Sequence, residues 1–278
     1  MRLFLTLIPR DLARVLNKFH NNMATISVNG RIYDDIQLIA FDKDGTLVDF
    51  NHLWGERSRK WIDWLVRRGG SGANGRDNLY LALCDSLGFD PQTNRIINDS
   101  PLAVASMPKI YTIAATVLYQ NGLAWLEAEK VVEASLSESF NALPTANEIQ
   151  PIGNVKRVIG HLVSAGVYIA IITSDGRIIT EAILSTLDIK EFVHFLVCGD
   201  DNMPNKPAPD ALWAIGRQLN IDPSQMLMVG DTASDMIFGR NAGAAGCIGI
   251  RGGAGNLSAL SQTADEIIDS IEAIQAIK

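Results

Sequence analysis

The sequence predicts an α/β protein, a doubly wound parallel sheet (a Rossmann-like core) interrupted by an inserted all-α domain. Two patterns carry this expectation. Short apolar runs, Ile36–Phe41, Val167–Ile172, Phe192–Val197 and Met226–Val229, each stop at a polar cluster, and a stretch of helical spacing follows each. Alternation of this kind implies βαβ units and a parallel sheet. Between the first run and the second lies a stretch of about 100 residues, far too long for a loop and rich in helical periodicity.

The elements follow in chain order. Met1–Ile8 is apolar but passes into Pro9-Arg10-Asp11 without a small-residue cleavage site, which is poor for a secretory signal. Leu12, Val15, Leu16 and Phe19 fit an amphipathic helix over 10–20, and Met23 offers an alternative start of translation. Met23–Val28 reads as a strand and Asn29-Gly30 as a hairpin turn. Residues 1–35 are thus expected as an N-terminal extension, 36–50 and 151–278 as the core, and 51–150 as a helical cap. In the insert, Trp54, Trp61, Ile62, Trp64 and Leu65 share helical spacing, and 79–87, 110–118 and 131–140 read as further helices. Gly69–Gly75 reads as a flexible connector. The core resumes with helices over 155–165, 178–187, 209–219 and 233–241, the third with Pro209 near its first turn and the last ended by Gly243. A strand over 245–250 and a closing helix over 264–277 complete the chain.

Bulk properties exclude several classes. The 278 residues are 47% hydrophobic, enough for a packed core. The net charge is −7 and no long basic run occurs, which argues against nucleic acid as a partner. No apolar run approaches the ~20 residues that span a bilayer, so no membrane partner is expected. Cys84, Cys198 and Cys247 lack CxxC spacing and read as small buried hydrophobes of a reducing, cytoplasmic compartment. The four histidines lack ligand spacing, and His52 reads as a surface or packing residue.

Chemistry concentrates where the runs end. Phe41 leads into Asp42-Lys43-Asp44-Gly45-Thr46, two carboxylates two residues apart, which an extended chain points to the same side. One can attack while the other handles protons, and a divalent cation relieves their repulsion. Thr173-Ser174-Asp175-Gly176 ends the second run, Lys206 lies in the loop after the third, and Asp231 and Asp235 follow the fourth. In an open parallel sheet, ligands bind outside the carboxyl ends of the strands, where these four sets would converge. Taken singly, Thr173 could cap a helix, Lys206 could be a solvated loop lysine and Asp235 a helix-dipole carboxylate.

In order and spacing these residues resemble the four motifs of the haloacid dehalogenase-like (HAD) superfamily of phosphohydrolases, over residues 36–278. The similarity is greatest to phosphoglycolate phosphatase-like members with a helical C1 cap. Lys43 departs from the usual apolar residue and Phe50 from a frequent Ser. The resemblance implies a Mg²⁺-dependent phosphatase of a small phosphorylated metabolite. Asp42 would be the nucleophile, Asp44 the acid and base, and Thr173, Ser174 and Lys206 the phosphate binders. Asp42, the carbonyl of Asp44, and Asp231 would hold the metal, with Asp235 orienting Asp231 or bonding a metal-bound water. Only the backbone N–H of Lys43 is expected at the phosphate. A phosphomutase is the nearest enzymatic rival, although such mutases often carry Glu where Gly230 stands. A dehalogenase would not need Asp44, and a phosphonate hydrolase would need a Schiff-base lysine such as Lys60 or Lys109. A phospho-accepting receiver orders its motifs differently, and a purely phosphate-binding HAD domain is the non-enzymatic alternative.

Overall fold

The computed structural model describes residues 6–7, 23–70, 73–135 and 142–277. The amphipathic helix expected over 10–20 and the end of the helix expected over 131–140 lie outside the described residues. The chain divides into two compact units, 1–49 with 149–278, and 50–148.

In chain order the strands are β1 (Thr6–Leu7), β2 (Ala24–Val28), β3 (Arg31–Ile36), β4 (Leu38–Phe41), β5 (Phe89–Asp90), β6 (Arg95–Ile96), β7 (Tyr168–Ile172), β8 (Phe195–Val197), β9 (Met226–Gly230), β10 (Gly246–Ile250), β11 (Glu266–Ile268) and β12 (Ile274–Ile277). The main sheet of the first unit runs β1-β8-β7-β4-β9-β10-β11. All its neighbours pair in parallel except the short edge strand β1. The expected doubly wound sheet is therefore present. Strands β4, β7, β8, β9 and β10 are buried on every residue and carry no charged side chain, because both faces are covered. Ile39 and Phe41 enter one core with Ile169, Ile171, Leu227 and Val229, whereas Leu38 and Ala40 enter the other with Ala170, Met226 and Met228.

Strand β4 lies between β7 and β9, with Phe41 in register with both Ile171 and Val229. The residues that leave these three strands, Asp42, Thr173 and Asp231, therefore emerge along one edge. Helices follow the strands: Val155–Ser164 before β7, Arg177–Thr186 after it, Asp210–Leu219 after β8, Ala233–Ala242 after β9 and Leu257–Thr263 after β10. Pro209 is the N-cap of the third of these, and Gly243 ends the fourth in the left-handed region.

The expected closing helix over 264–277 is absent. In its place stand β11, which extends the main sheet, and β12, which pairs antiparallel with β2. Ile267, Ile268, Ile271 and Ile274 satisfy a helical period, but two sheet edges need partners, and β-branched residues fit a pleated surface. The Asn29-Gly30 hairpin forms as expected, both residues having positive φ, and β12-β2-β3 make a second sheet. Ala24, Ile26, Val28, Tyr33 and Ile36 bury into the core of the first unit, so this hairpin is part of that core and no appendage to it.

The second unit holds helices Phe50–Gly69, Ala73–Leu87, Met107–Gln120 and Trp125–Ser135, with a short turn of helix at Pro101–Val104 and the ribbon β5-β6. It is thus mainly rather than wholly helical. Within the expected connector Gly69–Gly75, Gly69 ends one helix and residues 73–75 begin the next, while residues 71–72 lie outside the described residues. Trp61 is fully buried in this unit, its indole N–H donating to Ser135 Oγ at 2.7 Å.

The pairing of β12 generates a test. Ile274→Ala should lower the unfolding free energy by roughly 2–5 kcal/mol, the usual range for such a buried truncation. Urea denaturation measures this, and turnover per folded molecule should stay unchanged. A solvent-exposed residue of a frayed tail would give no measurable loss.

Candidate active site

The turn after β4 is held tightly. Gly45 N–H donates to the carbonyl of Val48, and Leu47 N–H donates to that of Lys43, both at 2.8 Å. Gly45 has φ +77°, and a Cβ there would lie 2.3 Å from Asp231 Oδ2. Only glycine lets this turn pass beside Asp231.

Lys206 joins the edge from the loop after β8. Its ammonium donates to Asp42 Oδ1 at 2.6 Å, Asp235 Oδ1 at 2.6 Å and the carbonyl of Ile172 at 3.1 Å. All three of its N–H donors are thus engaged. Asp235 Oδ2 accepts from the hydroxyl of Thr232 at 2.6 Å and from its N–H at 3.1 Å, a capping box at the start of the following helix. Asp235 thus accepts three hydrogen bonds, one from Lys206 and two from Thr232.

Asp231 is almost wholly buried, and its Oδ2 accepts from Ala254 N–H at 2.5 Å. The sequence reading missed this donor. Gly253 stands so close that a Cβ would come within 2.2 Å of Asp231 Oδ2. The signal was present in Gly252-Gly253-Ala254-Gly255 after β10, a glycine density that fits a close backbone approach.

Thr173 is buried, and its hydroxyl oxygen accepts from Asp175 N–H at 3.2 Å, which leaves the hydroxyl proton free to be donated. It does not cap the next helix, whose N-cap is Gly176. Ser174 is exposed. Asp200 and Asp201 bind Arg177, through its backbone N–H and its guanidinium respectively, and stitch neighbouring loops together. Lys43 departs from expectation in its side chain, which is wholly buried with its ammonium between Asp44 Oδ2 at 2.5 Å and Asp175 Oδ2 at 2.8 Å.

The edge therefore gathers Asp42, Asp44, Asp175, Asp231 and Asp235 around the ammonium groups of Lys43 and Lys206. Negative charge is in excess. Burial pushes Asp42 up to about 7; Lys206 opposes this, and Asp235 and Asp44 add to it. Asp231 is also raised, by burial first and then by the charges of Asp42 and Asp235. Burial alone would lower Lys206, but Asp235 and Asp42 hold it above its ordinary value. Among the described residues, no group of three or more His, Cys, Asp and Glu side chains is arranged to hold a metal ion. The set expected from the sequence asks for less: two carboxylates, Asp42 and Asp231, and one peptide carbonyl. These are hard oxygen donors with uncompensated charge, and they fit Mg²⁺.

The chain belongs to the haloacid dehalogenase-like hydrolases, whose family pattern it matches over residues 36–243. It is similar to the phosphoglycolate phosphatase of Escherichia coli K12, with 30% identity over 240 residues that cover 77% of this chain and 80% of that one. Among solved structures it superimposes on a HAD phosphatase from Thermococcus onnurineus with a TM-score of 0.55 and 18% identity, over 85% of this chain and 95% of the other. A 2-haloacid dehalogenase from Pseudomonas syringae pv. Tomato DC3000 matches with a TM-score of 0.50 and 20% identity, over the same two shares. These structural likenesses define the fold; the chemistry rests on the residues at the edge.

The crowded carboxylates generate a test. A carboxyl raised in the folded state keeps its proton where the unfolded chain has released it, so its contribution turns unfavourable as pH rises from about 4 towards about 7. Asp231→Asn keeps an acceptor for Ala254 N–H and removes one of the repelling charges. In urea unfolding without divalent cations, the variant should gain stability relative to the parent as pH rises through that window. A difference that is flat with pH would show that these carboxyls are not strained.

Proposed function

We propose that this hydrolase is a Mg²⁺-dependent phosphatase of a small phosphate monoester, with phosphoglycolate the first candidate, and that it works through an aspartyl-phosphate on Asp42. The observation that carries this reading is the ammonium of Lys206 shared between Asp42 and Asp235. It holds Asp42 by Oδ1, leaving Oδ2 to attack phosphorus in line. As that O–P bond forms, the bond from phosphorus to the substrate alkoxide breaks, and Asp44 gives the alkoxide its proton. Asp44 then takes a proton from the water that attacks the acyl-phosphate, releasing inorganic phosphate and Asp42. The hydroxyl of Thr173 donates to a phosphoryl oxygen, and the fixed positive charge of Lys206 beside Asp42 offsets the charge of the transferring group. Bound to Asp42, Asp231 and the carbonyl of Asp44, Mg²⁺ would supply the positive charge that lets a carboxylate meet a phosphate.

Two features favour hydrolysis over the alternatives. A dehalogenase has no use for the Asp44 carboxylate. Mutases of this fold often carry Glu before the metal aspartate, whereas a Cβ at Gly230 would lie 2.4 Å from Asp235 Cβ. A Schiff-base chemistry lacks support, since Lys60 and Lys109 are both exposed and Lys60 pairs with Glu56.

Turnover of 4-nitrophenyl phosphate should require added Mg²⁺ and disappear in EDTA. Lys206→Met should reduce it by ~10²–10³, the usual loss for one preorganised donor. It should also lower thermal stability, because Asp42 and Asp235 are left buried without their counter-charge. Full activity after exhaustive chelation, or a loss below about threefold in Lys206→Met, would contradict the proposal.

A further inference from the structure

Lys43 has no role in the reaction as described, yet its side chain is wholly buried. A lysine in that position carries a desolvation penalty that an apolar residue would not. What the lysine contributes is a link. Its ammonium touches Asp44 Oδ2 on one side and Asp175 Oδ2 on the other. Asp175 in turn is fixed by its backbone: its N–H donates to Thr173 Oγ1 at 3.2 Å, and its carbonyl accepts from Gly199 N–H at 2.8 Å. A continuous chain of polar contacts thus runs from the turns after β7 and β8, through Asp175 and Lys43, to one oxygen of Asp44. The Asp44 carboxylate also lies close enough to Asp175 for its charge to raise that carboxyl, so Lys43 separates two acids that would otherwise repel.

We propose that Lys43 and Asp175 are positioning residues for proton transfer, fixing the Asp44 carboxylate in the orientation in which it meets the leaving-group oxygen. The proposal rests on the reading of Asp44 as the acid and base. In the first step the proton on Asp44 passes to the leaving oxygen as its bond to phosphorus breaks. In the second, Asp44 takes a proton from the attacking water as the Asp42–phosphorus bond breaks. Lys43 and Asp175 neither gain nor lose a proton in either step. Proton delivery from a positioned acid is worth ~10²–10⁴, and a displacement of about 1 Å costs ~10².

Lys43→Met alone strands the Asp175 carboxylate in the interior, so the informative variant is Lys43→Met with Asp175→Asn, which removes the pair together. Asp175→Asn alone keeps Lys43 on Asp44 and cuts only the anchor. The readout is kcat/KM at saturating Mg²⁺ for 4-nitrophenyl phosphate, whose leaving group departs without a proton, and for phenyl phosphate, whose leaving group needs one. Melting temperatures verify that the variants fold. The double variant should keep the nitrophenyl rate within about threefold and lose ~10² on phenyl phosphate, with a smaller loss of the same selectivity in Asp175→Asn. Equal losses on both substrates, or none in the variants that fold, would mean a purely structural ion pair and overturn the proposal. Asp44→Asn, run beside them, separates the two readings. If it discriminates between the substrates and the folded pair variants do not, positioning fails and the acid–base role stands. If Asp44→Asn does not discriminate, the acid–base role fails and the positioning proposal with it.

Discussion

The ammonium of Lys206, held between Asp42 and Asp235, is the contact on which the rest of the active edge depends. Carboxylates rarely sit together in a protein interior, because desolvation and mutual repulsion both disfavour their charged forms. Here Asp42, Asp231 and Asp235 are all buried. Lys206 makes that arrangement tolerable by reaching three strands at once: Asp42 after β4, the carbonyl of Ile172 at the end of β7, and Asp235 in the helix after β9. The strand order β8-β7-β4-β9 sets up this reach, with β4 flanked by the strands that carry Thr173 and Asp231. A lysine supplied from the loop after β8 can then bridge inward across the sheet edge.

Compensation by Lys206 is incomplete, which gives the site its chemical character. Asp231 accepts from Ala254 N–H and feels the charges of Asp42 and Asp235. The glycines at 45 and 253 leave no side chain between the turns and this carboxylate. A protein shaped only for stability would fill that space with packed side chains. Strain of this kind, kept where the sheet ends, is what a site for an added cation and an anionic substrate requires. Lys43 and Asp175 form a second, separate charge link beside the first, so the two leading aspartates are each held by a different lysine.

Much of this was legible in the sequence, for identifiable reasons. Strands buried on both faces leave continuous apolar runs, and the catalytic candidates stand where those runs stop, so Asp42, Thr173 and Asp231 could be placed on one edge from order alone. Lys206 lies in a loop, and only its rank among the motifs marked it. The contacts that could not be read are those between distant side chains. Nothing near Lys43 in the chain indicates Asp175, 132 residues away, as its partner. Ala254 acts through its backbone N–H, which residue identity does not encode. The C-terminal isoleucines satisfy both helical and strand spacing, and only the open edges beside β10 and β2 decide for strands. Spacing places Asp235 one turn after Asp231, but its bond to Lys206, 29 residues away, is not readable from that spacing.

The central claim is that Asp42 and Asp44, two residues apart, divide attack from proton transfer. Acid quench followed by mass spectrometry tests it most directly. Asp44→Asn keeps the attacking carboxylate and loses the base for the second step, so with 4-nitrophenyl phosphate and Mg²⁺ it should accumulate an intact chain heavier by one phosphoryl group. Peptide mapping should place that group on Asp42, and Asp42→Asn should show none. A phosphoryl group on any other residue, or an Asp44→Asn variant that turns over as fast as the parent, would contradict the account.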